Sequence, residues 1–266
     1  MKVLRKGDRG EEVRVLQQAL KDKGYDVAVD GIFGSGTEKA LRSFQMAHSL
    51  FPDAIAGPKT WAMLLKAGSN ELKILNGHIN THITRLLNRA VRYIAIHYTA
   101  GSSSAAGAAM ATRNVFISRK ASADFVVDDA EIVQINPDLR NYYCWSVGDA
   151  KNSYSGGGRL YGKATNKNTI SIEICSNLKR GTNADVPNHS GWTFTEAALE
   201  NALRLVRYLM VEFGIPKENV VRHYDISGKV CPGVIGWNGA QVYDIYGRPT
   251  AMRSDSEKWE EFHNKI

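Results

Sequence analysis

A stretch of twelve residues occurs twice near the start of the chain. "DGIFGSGTEKAL" (Asp30–Leu41) returns as "DAIAGPKTWAML" (Asp53–Leu64), shifted by 23 positions. Asp30 and Asp53, Ile32 and Ile55, Gly34 and Gly57, Thr37 and Thr60, and Leu41 and Leu64 correspond. So short an internal period confines residues 1–67 to a small repeated unit. In each copy a glycine turn leads to a Thr whose hydroxyl is placed to cap a helix N-terminus. Upstream, Glu11–Lys23 carries Val13, Leu16 and Leu20 on one helical face and stops at Gly24. The spacing predicts a three-helix unit with an apolar core and no cluster of catalytic residue types.

The chain has 266 residues, enough for one large domain or two of unequal size. Its 43% hydrophobic and 23% charged content is that of a folded globular protein. Nowhere do about 18 apolar residues run together, so no spanning helix and no stable membrane association are expected. "MKVLRKGDRG" lacks an apolar h-region, so no secretory signal peptide is expected. The three cysteines cannot all pair, and Cys144 and Cys175 lie in core-like sequence. A formal charge of +7 favours an anionic partner. The basic residues are scattered rather than run together, which argues against nucleic acid.

Residues 68–90 read as a linker that opens on a Gly/Ser/Asn break and turns weakly helical, part of it packed on the second domain. That second domain spans residues 91–266. "VRYIAIHYT" (Val91–Thr99) is a buried strand with His97 near its end. "ADFVVDD" and "EIVQINP" form a hairpin turning near Asp129-Ala130. "NTISIEICS" (Asn168–Ser176) is a strand directing Ser171, Glu173 and Cys175 to one face.

"TFTEAALENALRLVRYLMVEFGIP" is a helix in which Thr193 and Glu196 have capping-box spacing. Leu199, Leu203, Val206, Met210 and Phe213 make its apolar face, and Gly214 and Pro216 end it. "NVVRHYD" returns as a strand carrying His223. Without strict βαβ alternation, the expected class is α/β, a central mixed sheet flanked by helices.

The chemistry concentrates in "VVRHYDISGKVCPG" (Val220–Gly233), where His223, Lys229 and Cys231 fall close together. A catalytic zinc site needs three N, S or O ligands and one open position. His223 and Cys231 supply two, and His97 at another strand end is the candidate third. Cys231 with either His also reads as a nucleophilic dyad, and each residue alone reads as an ordinary core residue.

Two resemblances arise from these motifs. "GDRGEEVRVLQQAL", "DGIFGSGTEKALRSFQ" and "DAIAGPKTWAMLL" resemble the peptidoglycan-binding module attached to wall hydrolases. "YIAIHYTAG", "SADFVVDDAEIVQI", "NTISIEICSN" and "VVRHYDISGKVCPG" resemble, in family order, the zinc-dependent N-acetylmuramoyl-L-alanine amidase domain of phage lysins and peptidoglycan-recognition proteins. The resemblance implies that His97, His223 and Cys231 hold Zn2+ and that Glu173 moves the proton of the attacking water. Lys229 then stabilises the oxyanion, and Tyr98, Thr99, Trp145 and Asn168 line the substrate groove. It implies cleavage of bacterial peptidoglycan between N-acetylmuramic acid and L-alanine, as in an endolysin made in the cytoplasm and released by a phage-type or non-Sec route. Non-catalytic wall recognition and a cysteine peptidase are the alternatives. Two departures stand out: Ser146 occupies the place where many relatives carry a His, and Val234–Ile266 has no counterpart motif. The end of that tail, "SEKWEEFHNKI", reads as an amphipathic helix with Trp259, Phe262 and Ile266 facing the domain.

Overall fold

The structure is a computed structural model that describes residues 2–48, 50–65, 72, 74–148, 157–252 and 256–266. It divides into two compact units, Met1–Leu72 and Lys73–Ile266. The Gly/Ser/Asn break of the expected linker lies outside the described residues.

In the first unit, α1 (Glu11–Asp22), α2 (Ser35–Ala47) and α3 (Pro58–Leu65) enclose Leu4, Val13, Leu16, Leu20, Phe33, Leu41, Phe44, Trp61 and Leu64. The duplicated threonines do not cap. α2 is preceded by Gly34 with no side-chain cap, and Thr37 lies buried in its first turn. The reason is a glutamine from the preceding helix, one for each copy. Gln17 Nε2 donates to Asp30 Oδ1 (2.8 Å) and Thr37 Oγ1 (2.9 Å), while its Oε1 accepts from the Gly31 amide. Gln45 repeats this with Asp53 (2.8 Å), Thr60 (3.2 Å) and the Ala54 amide. Each Thr is therefore claimed by a buried side chain instead of its own helix end.

The second unit is built on a six-stranded sheet of β1 (Ile74–Asn76), β3 (Tyr93–Tyr98), β4 (Phe125–Val127), β5 (Ile132–Gln134), β7 (Thr169–Ile174) and β10 (Val220–Arg222). These strands lie in the order β1-β5-β4-β7-β3-β10. β4 and β5 form the expected antiparallel hairpin, and the other neighbours run parallel. The supposedly helical linker instead supplies edge strand β1 and the short β2 (Ile83–Arg85), which pairs with β6 (Tyr142–Cys144). Open ladder positions on β5 and β6 override the weak helical period.

Helices α4 (Ala108–Ser118) and α5 (Glu196–Phe213) cover opposite faces. Ala109 and Phe116 of α4 pack with Val126 and Val133, whereas Phe125 faces Tyr208 and Phe213 of α5. Ile170, Ile172 and Ile174 are fully buried, and alternation sends Ser171 and Glu173 to the other face, that of α4.

Helix α5 follows a two-stranded ribbon, β8 (Asn177–Leu178) with β9 (Trp192–Thr193). Its cap is Thr195, which accepts from the Ala198 amide, because Thr193 is engaged in β9. The buried stripe is Ala198, Ala202, Leu205 and Leu209 with Leu203 and Val206; Leu199, Met210 and Phe213 flank it half-buried. The alanines let the helix lie close to the sheet.

After β10 the chain forms α6 (His223–Ser227), then a hairpin of β11 (Gln241–Tyr243) and β12 (Pro249–Met252), and finally α7 (Glu257–Asn264). Trp259 and Phe262 of α7 are buried against Trp237 and Ile266 is half-buried, in the orientation its pattern predicts.

Candidate functional site

Parallel pairing of β3 and β7 puts His97 directly opposite Glu173. Both therefore emerge on the α4 face near the carboxyl ends of central strands, where parallel sheets usually bind ligands. His97 Nδ1 is 4.0 Å from Glu173 Oε1.

His223 arrives from β10 but begins a helix instead of ending the strand. Asp225 accepts from the Arg222 amide (2.9 Å) and from its guanidinium, which turns the chain into α6. Gly228, at φ 79°, ends that helix, and the Tyr224 amide donates to the Cys231 carbonyl to close the loop. Gly233 is required here, since a Cβ would lie 2.4 Å from the Tyr98 hydroxyl.

The outcome is a buried group of His97, His223 and Cys231 whose donor atoms all lie within 4.8 Å of one another. The two imidazole centroids are 4.6 Å apart, and Cys231 Sγ is 3.7 Å from His97 Nδ1. His223 Nε2 is 3.0 Å from the Val147 carbonyl, which can only accept, so this nitrogen carries the hydrogen. Nδ1 is left with a lone pair and, among the described residues, no hydrogen-bond partner; His97 Nε2 and Glu173 Oε2 are buried and unpartnered as well.

Burial governs the electrostatics. It holds His97 well below the usual imidazole range, helped by His223 and Lys229, and lowers His223 to about 4, with Lys229 adding to the effect. Both rings are therefore neutral, the state in which imidazole ligates metal. Burial pushes the Cys231 thiol up to about 12, with Glu173 adding and Lys229 opposing. It also pushes Glu173 up to about 8, against the pull of Lys229. Two neutral imidazoles and a thiol with free lone pairs fit the donor set of a four-coordinate zinc site that leaves one position open. The thiol is a poor nucleophile without a cation, because attack needs the thiolate.

Lys229 is exposed, yet its charge bears on all four buried groups. Tyr98 is half-buried and meets Trp192 edge-on at 5.4 Å. The Thr99 hydroxyl oxygen accepts from the Gly101 and Ser176 amides and fixes the turns after β3 and β7. Trp145 is 41% exposed, with Nε1 donating to Thr84 and its ring tilted on His82. Asn168 is not brought to the cluster. It caps the turn before β7, bonded to Thr165 and Lys163, roughly 16 Å from Glu173 along the strand.

Ser146 bonds Ser171 at 2.5 Å on the same strand face as Glu173. The remainder of its motif from residue 149 lies outside the described residues. Sequence reasoning missed Val147, whose contribution is a backbone carbonyl, and Trp192, which carried no motif.

Residues 87–234 match the family described as N-acetylmuramoyl-L-alanine amidase, and residues 9–64 match that of a peptidoglycan binding domain. The spore cortex-lytic enzyme of Bacillus cereus is 43% identical over 81 residues, covering 30% of this chain and 31% of that protein. The N-acetylmuramoyl-L-alanine amidase CwlA of Bacillus subtilis strain 168 is 34% identical over 140 residues, covering 53% of this chain and 42% of CwlA. The solved catalytic domain of XlyA is 31% identical, covering 60% of this chain and 90% of that one, with a TM-score of 0.41. The chain thus spans less than half the length of these two curated relatives. With the first match taking in more than half of its residues, the chain belongs to the N-acetylmuramoyl-L-alanine amidase family.

Proposed function

We propose that the second unit hydrolyses the amide between the lactyl group of N-acetylmuramic acid and L-alanine in bacterial peptidoglycan, using zinc held by His97, His223 and Cys231. The observation that carries this reading is the in-register pair of His97 and Glu173 facing two further metal-competent donors. Zinc, when bound there, supplies a Lewis acid that makes water nucleophilic near neutral pH.

The remaining steps belong to the chain. Glu173 keeps 17% of its side chain exposed, its Oε2 is buried and unpartnered, and its Oε1 faces His97. It accepts the proton of the attacking water and returns it to the nitrogen of the departing amine. Lys229 offsets negative charge developing on the carbonyl oxygen. Tyr98 and Trp192 form an aromatic wall beside the Gly233 turn.

The first unit retains the chain on the wall and raises the local concentration of the second. Among the described residues no helix is long and apolar enough to cross a membrane. An endolysin synthesised inside the cell and released onto the wall fits this design, with peptidoglycan as the partner. Mass spectrometry of digested walls tests the reading. Free L-alanine amino termini with intact glycan strands are expected, and new reducing sugar ends would overturn it. The cysteine-peptidase alternative predicts activity that survives thorough chelation.

A further inference from the structure

The side of His223 turned away from Cys231 is held by an arrangement that no motif announces. Its Nε2 donates to the Val147 carbonyl at 3.0 Å, and Val147 is itself buried against Ala95, Ala164, Val221 and Ile226. A peptide carbonyl points where its own chain points, so the direction of this acceptor depends on what fixes residues 146–147. Asn166 does so. Its Oδ1 accepts from the Ser146 amide at 3.0 Å and the Val147 amide at 2.9 Å, and the Ser146 hydroxyl lies 3.4 Å away.

Asn166 is anchored from the other direction. It opens a single turn, Asn166–Asn168, closed by the reciprocal bonds of Thr165 and Asn168. Its own carbonyl accepts from Arg89 Nη2 at 3.2 Å. Arg89 in turn is buried against Asp124 and the carbonyls of Leu139, Tyr142, Lys167 and Thr169. A continuous path of hydrogen bonds therefore runs from a rigid buried guanidinium through one side-chain amide to the ring of His223.

We infer that Asn166 is a positioning residue for the candidate ligand His223: by holding the Val147 carbonyl against Nε2 it selects the ring tautomer and leaves Nδ1 free for a metal. This rests on the reading of His97, His223 and Cys231 as a metal centre. Acceptors of this kind behind a ligating His set both its tautomer and its orientation, and losing one commonly costs about 10–100-fold in metal affinity. Asn166 is not among the clustered donors, so its effect on the ring passes through the backbone of residues 146 and 147.

The test measures zinc affinity of the full chain by competition with a chromophoric chelator. Wild type is measured first; failure to bind zinc there removes the metal-centre reading itself and is distinct from failure of this inference. Given wild-type binding, Asn166→Ala is expected to weaken zinc affinity at least tenfold. Asn166→Asp keeps an oxygen acceptor for both amides and is expected to stay within about threefold of wild type, since the contact and not the amide group matters. Wild-type affinity in Asn166→Ala, or an Asn166→Asp variant as weak as Asn166→Ala, overturns the inference. Nitrogen-15 NMR of the metal-free wild type gives a second readout that needs no variant. The hydrogen of His223 is expected on Nε2, and finding it on Nδ1 would equally overturn the assignment.

Discussion

His97 and Glu173 are direct partners across the parallel pair β3–β7, with Nδ1 4.0 Å from Oε1. A register shift of one residue would send one of them to the α5 face among the buried isoleucines. The carboxylate is thus aligned with a candidate ligand by strand pairing, yet it is not among the three clustered donors. In the proposed mechanism that separation divides metal holding from proton transfer. Glu173→Ala is accordingly expected to keep its zinc and lose roughly 10²–10⁴-fold in kcat. Metal content by mass spectrometry and wall turbidity check the two halves, and wild-type turnover in the variant would remove Glu173 from the mechanism.

Loss of a ligand should behave differently. Cys231→Ala or His223→Ala leaves two donors, so metal and activity are expected to disappear together. A stability readout separates this from a purely catalytic defect. Zinc at a hundredfold above its Kd stabilises a folded chain by about 2.7 kcal/mol, which raises the melting temperature of wild type. Neither ligand variant should respond to zinc, and a full upward shift in Cys231→Ala would exclude that residue as a ligand.

Gly233 gives a steric prediction on the same loop. A methyl group there would meet the Tyr98 hydroxyl at 2.4 Å and its ring carbon at 2.5 Å. Gly233→Ala must displace the turn two residues after Cys231, so weaker zinc binding is expected. Tyr98→Ala on top of it should recover much of the loss by opening that space. Unchanged zinc affinity in the single variant would mean that the turn relaxes without moving the sulfur.

Much of this centre was legible in the sequence because its parts have local signatures. His97 and Glu173 end short β-branched strands, and His223, Lys229 and Cys231 share one loop. What escaped depends on tertiary pairing or backbone. The Val147 carbonyl has no residue type to betray it. β1 and β2 are three-residue strands that exist only because β5 and β6 offer them a ladder. Asn168 lies in the turn that precedes β7, and alternation along that strand does not reveal which of its ends faces the cluster. Thr37 and Thr60 were recognisable as equivalent, but Gln17 and Gln45 stand 28 positions apart, off the 23-residue shift that aligns their partners.

Those glutamines make a prediction for the first unit. Gln17→Ala would strip the Gly31 amide, Asp30 and Thr37 of a shared partner, at least one of them buried. Leaving a buried polar group unpaired costs about 1–3 kcal/mol. Gln45→Ala removes the equivalent set around Asp53, Ala54 and Thr60 and should cost a similar amount. Urea unfolding of the full chain, followed by NMR signals of first-unit amides, measures both. A neutral effect at either position would mean that water replaces the glutamine.

Where the second unit begins can be tested by truncation. A fragment starting at residue 91 keeps every candidate ligand but loses β1, β2 and Arg89. Arg89 and Asp124 are both fully buried along their side chains, with Nη1 3.4 Å from Oδ1. Asp124 also accepts from the Ser171 amide, two residues before Glu173, so its charge lies directly behind the site strand. Removing one partner of a buried ion pair costs about 3–5 kcal/mol, a large part of the 5–15 kcal/mol that typically holds a domain together. A fragment of residues 73–266 is therefore expected to fold and bind zinc, whereas 91–266 should lack a cooperative unfolding transition. Arg89→Leu in the full chain separates the ion pair from the lost strands and should alone lower the unfolding midpoint. A 91–266 fragment that melts where 73–266 does would show that the edge strands and the buried guanidinium are dispensable.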